Sequence, residues 1–167
     1  GLTNNNTRGK VIPPEDVTVA QIPFDTIHNL IIIEAEINGY PGRFLFDNGF
    51  TLSAISPDFA KKCGVDFNQS TTVNDINNKK TSLGETTLES IVIGGFDFQN
   101  TGFYRIDTKK FFPCDDVDGV IGGSIINKVN WKIVYDDRTI DISGNTFDYQ
   151  DNATVIPVDY NRGNSAL

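Results

Sequence analysis

The chain has no methionine, one histidine and two cysteines, and these shortages remove many chemistries at once. One His and two Cys cannot build a His- or Cys-based zinc site, and any histidine-dependent catalysis would rest on His28 alone. No Ser or Cys motif accompanies His28, which therefore reads as a surface or hydrogen-bonding residue. Neither a metal nor a cofactor is expected. Cys63 and Cys114 either pair in an oxidising compartment or remain two buried thiols. Positive charge is also short, with 14 Lys and Arg against 22 Asp and Glu. The net charge of −8 argues against nucleic acid as a partner. Long apolar runs are missing as well. Leu30-Ile31-Ile32-Ile33 is far shorter than the ~18 residues a membrane-spanning helix needs.

Helix signals are few. Ser56 can cap a helix beginning at Pro57 and ended by Gly64, and a second short piece is expected over 124–128. Strand signals dominate instead. Ile31, Ile33, Ala35 and Ile37 alternate with Ile32, Glu34 and Glu36, and Asn38-Gly39 then turns the chain into Phe44-Leu45-Phe46. Asp136-Asp137 separates 131–135 from 140–142 in the same way. Further strands are expected near 17–22, 71–76, 81–93 and 102–106, with Trp131 and Tyr135 placed in the core. Together these signals describe a small, strand-rich, barrel-like domain.

In organisation, residues 1–16 are expected to be a flexible leader, 17–150 the domain, and 151–167 a C-terminal strand or linker. Gly1 reads as a cloning remnant, and the missing initiator Met fits a removed secretory signal. A secreted, periplasmic or cell-envelope location is the expectation. Ile22-Pro23-Phe24-Asp25 is echoed by Ile156-Pro157-Val158-Asp159, so a second lobe could follow the tail.

The chemistry concentrates in Phe44-Leu45-Phe46-Asp47-Asn48-Gly49-Phe50, where a carboxylate stands at the exit of an apolar strand directly before a glycine turn. About seventy residues later comes Asp118-Gly119-Val120-Ile121-Gly122-Gly123, whose glycines suit a strand passing close to another segment. These two elements resemble the retropepsin-like aspartic proteases. Asp47-Asn48-Gly49 falls on the family's Asp-Thr/Ser-Gly loop, Ser53 on a serine shortly after it, and Val120-Ile121-Gly122 on the later apolar-apolar-Gly turn. The likeness runs over roughly residues 22–143.

The resemblance implies an all-β, retropepsin-like closed barrel with one or two short helices. It implies an aspartic endopeptidase lobe in which Asp47 supplies one of two catalytic carboxylates, flanked by the loop residues Asn48, Gly49, Phe50 and Ser53. A flap over the substrate would carry Asn77, Asn78 and Lys79, while Asp118, Gly119 and Gly122 would form a structural turn. The implied partners are a peptide or protein substrate and a second lobe, from a homodimer or a tandem chain. Two departures stand out: Asn48 in place of a hydroxyl residue, and Phe50 in place of a small one. They favour the alternative of a catalytically degenerate lobe that binds peptide or supports a partner. A third reading is a β-barrel interaction module in which Asp47 is only a turn residue.

Overall fold

The computed structural model describes residues 9–67, 69–74 and 80–144. Its organising unit is the hairpin of β4 (Leu30–Ile37) and β5 (Tyr40–Phe46). Ile33 faces Phe44 and Ala35 faces Gly42 across the ladder. Asn38 and Gly39, at φ 51° and 82°, make the tight reversal between them, a conformation these two residues accept readily. On β4 Ile31, Ile33, Ala35 and Ile37 are buried while Glu34 and Glu36 are exposed. Ile32 departs from this simple alternation, because it is buried on the opposite face in a second apolar cluster.

Six strands close into a barrel. Hydrogen bonding runs from β9 (Phe96–Arg105) through β6 (Ser53–Ile55), β10 (Gly119–Ile121), β5 and β4 to β8 (Lys80–Ile93), which pairs back to β9. β7 (Gln69–Asn74) extends β8, and the short β3 (Asp25–Ile27) pairs with the start of β4. A separate three-stranded sheet sets β12 (Thr139–Ser143) between β11 (Asn130–Val134) and β2 (Val19–Pro23). It packs on the β8–β9 turn closely enough that a Cβ on Gly94 would lie 2.9 Å from Ile22. Phe44, Phe96, Phe98 and Phe103 fill the barrel with Ile33, Ile55, Ile91 and Ile121, all 1% exposed or less. Trp131 closes one end, stacked on Phe98 and edge-on to Phe46, its indole N–H donating to Ile126 O at 2.9 Å.

Helices are brief. α1 (Pro57–Cys63) has Ser56 as its cap, whose Oγ accepts from Phe59 N, and Gly64 ends it at φ 73°. Phe59 packs edge-on against Phe44. α2 (Gly123–Ile126) is a single turn starting one residue before the expected piece.

Some expectations change. Lys10–Ile12, within the expected leader, form a strand, β1, paired with Gln99–Asp97 of β9. The strand expected at 102–106 is the end of a longer one that starts at Phe96. Tyr135 is not core: it follows the end of β11 and is 66% exposed, touching only the edge of Phe24 among the rings. Cys63 is buried and Cys114 exposed, both as free thiols, so neither the disulfide nor a pair of buried thiols holds. The tail 151–167, with the repeated Ile-Pro sequence, lies outside the described residues.

Candidate active site

Asp47 stands one residue beyond β5. Its position is fixed from both sides. β10 runs parallel to β5, with Leu45 beside Val120 and Phe46 beside Ile121, and antiparallel to β6, with Ala54 beside Val120. The ladder continues past β5 through a bond from Asp47 N–H to Ile121 O at 3.0 Å. The chain then turns: Phe50 N–H reaches Asp47 O at 3.4 Å, and Gly49 N–H donates to Asp47 Oδ1 at 2.8 Å. The described residues give Oδ2 no hydrogen bond, and the side chain is half-buried. One carboxylate oxygen is thus oriented by the backbone while the other remains available.

The glycine turn after β10 clamps this loop. Gly123 N–H donates to Phe50 O at 2.6 Å. A Cβ on Gly122 would lie 1.8 Å from Leu52 O and 2.6 Å from Phe50 O, so only glycine lets the two backbones meet. A Cβ on Gly119 would lie 2.2 Å from Ala54 O. Ser53 is fully buried, and its Oγ accepts from Gly122 N–H at 3.0 Å. That hydroxyl also lies 2.8 Å from Ser124 Oγ, which donates to Gly102 O at 3.2 Å. Two hydroxyls therefore join the Asp47 loop, the turn and β9 in one satisfied network.

Asp118 works at the other end of β10. Its backbone N–H donates to Arg43 O at 2.7 Å, its O accepts from Ser56 N–H at 2.7 Å, and its carboxylate accepts from Arg43 N–H at 2.9 Å. It ties the entry of β10 to the middle of β5 and to the residue that follows β6, and stands four residues upstream of the Asp47 level. Among the described residues no group of three or more His, Cys, Asp or Glu is placed to hold a metal. His28 is exposed at the β3–β4 turn, 3.6 Å from Asp115.

The two unusual loop residues part company. Asn48 is exposed and makes no hydrogen bond to the described residues. Phe50 is half-buried and packs on the second apolar cluster of Ile32, Leu45, Ala54, Val117 and Val120. Asn77, Asn78 and Lys79 lie outside the described residues, and the flanking strands pair with Asn74 opposite Lys80. Sequence reasoning missed Ser124 as the partner of Ser53, and missed the apolar cluster. Its one available signal was the alternation on β5, which puts Leu45 and Asp47 on one face and Phe44 and Phe46 on the other.

Comparison with known proteins agrees with this architecture. The aspartyl protease family model matches residues 33–125, more than half of the chain, from β4 to α2. A retropepsin-like aspartic protease from Rickettsia conorii is 19% identical and superposes with a TM-score of 0.54 over 80% of this chain and 92% of that one. The retroviral protease-like domain of Ddi1 from Leishmania major is 16% identical, with a TM-score of 0.46 over 77% of this chain and 94% of that one. No curated protein matches the sequence. At 19% identity the Rickettsia protein speaks to the fold alone.

Proposed function

Since the chain belongs to the aspartyl protease family, we propose that it is one lobe of an aspartic endopeptidase, with Asp47 as its catalytic carboxylate. The observation that carries this reading is the braced Asp47 loop. One oxygen is held by Gly49 N–H, the other takes no hydrogen bond from the described residues, and the glycine turn fixes the backbone on both sides. Hydrolysis needs two such carboxylates facing each other. Two acids in hydrogen-bond range cannot both ionise comfortably, so they share one proton. The ionised one takes a proton from water as that water attacks the peptide carbonyl, and the protonated one donates to the developing oxyanion. As the C–N bond of the tetrahedral intermediate breaks, the amine takes the proton that the first carboxylate removed from water, and the new carbonyl returns its proton to the second.

The described residues carry one such loop, so the second carboxylate is assigned to another lobe: Asp47 of a second copy, or its counterpart in a tandem lobe. The substrate is an extended peptide, held by strand addition with the β7–β8 hairpin above it. Asn77, Asn78 and Lys79 would contact it from that hairpin. Hydrolysis of a mixed fluorogenic peptide library should peak at acidic pH, and Asp47→Asn should abolish it with little change in melting temperature. The amide oxygen of Asn can still accept from Gly49 N–H. Full hydrolysis by that variant would discard the mechanism.

A second reading is supported by one observation: Asn48 is exposed and makes no hydrogen bond to the described residues, where the family resemblance places a hydroxyl that bridges two lobes. A degenerate lobe would bind peptide or support a catalytic partner without cleaving. It is favoured if the wild type binds library peptides, leaves them intact, and gains no hydrolysis at any pH.

A further inference from the structure

Ile32, Leu45, Val120 and Ala54 form a continuous row across four adjacent strands. Ile32 sits opposite Leu45 on β4 and β5, Leu45 beside Val120 on β10, and Val120 beside Ala54 on β6. Because side chains alternate along a strand, Leu45 and Asp47 share a face. The row is therefore the apolar wall that runs up to the Asp47 carboxylate. An open wall waiting for a substrate side chain would be accessible to solvent. This one is not: Ile32 is 3% exposed, Leu45 8%, Val120 7% and Ala54 0%. The chain covers it with its own side chains: Val117 completes the cluster, and Phe50, Phe112, Ile27, Tyr104 and Ile106 pack against it.

Phe50 cannot leave by moving its backbone. Its N–H is bonded to Asp47 O and its carbonyl accepts from Gly123 N–H at 2.6 Å. Only a side-chain rotation would uncover the wall, and that would expose the row to water. A bulky substrate residue beside Asp47 thus has to displace a ring that is already packed. A glycine, alanine or serine meets no such obstacle.

We infer that the site selects peptides with a small side chain on the residue that supplies the scissile carbonyl, with Phe50 as the specificity-determining residue and Phe112 supporting it. This inference rests on the peptidase reading above. It concerns what the site accepts, whereas that reading concerns whether it binds a peptide at a scissile geometry at all.

The test uses two peptides in which a hydroxymethylene replaces the scissile carbonyl, one carrying alanine and one phenylalanine at that residue. Calorimetry on the full chain at acidic pH gives both affinities for wild type, Phe50→Ala and Phe50→Leu. Wild type should bind the alanine peptide at least about tenfold more tightly, the scale on which a hydrophobic pocket discriminates size. Phe50→Ala should reverse the preference, and Phe50→Leu, which keeps the wall covered, should reduce it if the alanine variant fails to fold. Equal or tighter binding of the phenylalanine peptide by wild type would overturn the size rule and leave the peptidase reading intact. So would an unchanged ratio in a folded variant. Failure of wild type to bind either peptide would overturn the peptidase reading and the size rule with it.

Discussion

Replacing Gly122 with alanine tests whether the contact between the glycine turn and the Asp47 loop is as tight as the structure makes it. The backbone at Gly122 is extended, φ −120° and ψ −159°, so alanine meets no conformational penalty there and the cost is steric. Its Cβ would lie 1.8 Å from Leu52 O and 2.6 Å from Phe50 O. Both obstacles are backbone atoms, so no rotamer change relieves them. The two segments must separate by more than an ångström, which breaks the Gly123 N–H to Phe50 O bond and the Gly122 N–H to Ser53 Oγ bond. Overpacking typically costs about 1–3 kcal/mol and each lost hydrogen bond about 1 kcal/mol. Together they come to about 3–5 kcal/mol, a large share of the ~5–15 kcal/mol that holds a domain folded. For a chain of this size, ~2–4 °C per kcal/mol converts that into a melting point lower by about 6–20 °C. Circular dichroism melts of Gly122→Ala and wild type measure it. Gly144→Ala serves as the control, since nothing lies within 4 Å of its added Cβ. A Gly122→Ala melting point within 2 °C of wild type would refute the close-contact argument.

Gly119→Ala should behave like Gly122→Ala, because its Cβ would lie 2.2 Å from Ala54 O, and the same melts check it. Ser53→Ala strips the buried Gly122 N–H of its acceptor, so a loss of about 1–3 kcal/mol is expected in urea unfolding. A Ser53→Ala/Ser124→Ala cycle should show clear non-additivity, since the two hydroxyls share one network. Burial pushes the Cys63 thiol above its ordinary value of 9.0. Its folded value exceeds its unfolded one, so its contribution to stability is complete below the unfolded value and is lost as pH rises through the folded one. Urea midpoints should therefore fall above pH 9 in wild type and fall less in Cys63→Ala. The Thr26 amide and the Arg43 guanidinium hold the Asp25 carboxyl below its usual range, so Arg43→Ala should raise its titration midpoint in an NMR pH series.

Local signals in the sequence carried far. The Ser56, Pro57 and Gly64 signals that start and stop α1 lie within nine residues of one another, and the Asn38-Gly39 reversal is a two-residue decision. What stayed hidden depends on segments far apart in the chain. β6 is three residues long, too short to show a period, and although its glycines marked β10 as a strand, nothing local named the strands it would pair with. β10 becomes a strand because it is held between β5 and β6, and its parallel pairing with β5 joins residues seventy-five apart, such as Gly119 and Phe44. β1 escaped notice because Lys10–Ile12 carry no alternation of their own and take their geometry from β9. Tyr135 read as core by extending the alternation from Trp131, but β11 ends at Val134 and the chain turns away there. The Asp47 loop was legible because its residues are consecutive. Its brace at Ser124 was not, because a serine after two glycines has no local mark of a partner seventy-one residues away.

Asn48 and Phe50 look alike in the sequence, as two departures from one motif, yet they belong to different levels of organisation. Phe50 turns inward, onto a row of side chains that four strands of the same lobe supply. Its energetic consequences therefore appear within a single chain, as packing and as the shape of the site. Asn48 faces outward and touches no polar group of the described residues. Any bond it makes to protein comes from beyond the described residues, and there an amide offers both a donor and an acceptor in place of a single hydroxyl. Under the peptidase reading, the first substitution would change what fits beside the carboxylate, and the second would change how a second carboxylate is brought to it. A lobe can accommodate the first alone by repacking around the ring. The second requires a matching change on the facing lobe, and in a symmetric pair that change arrives automatically, because each Asn48 meets the loop of an identical chain.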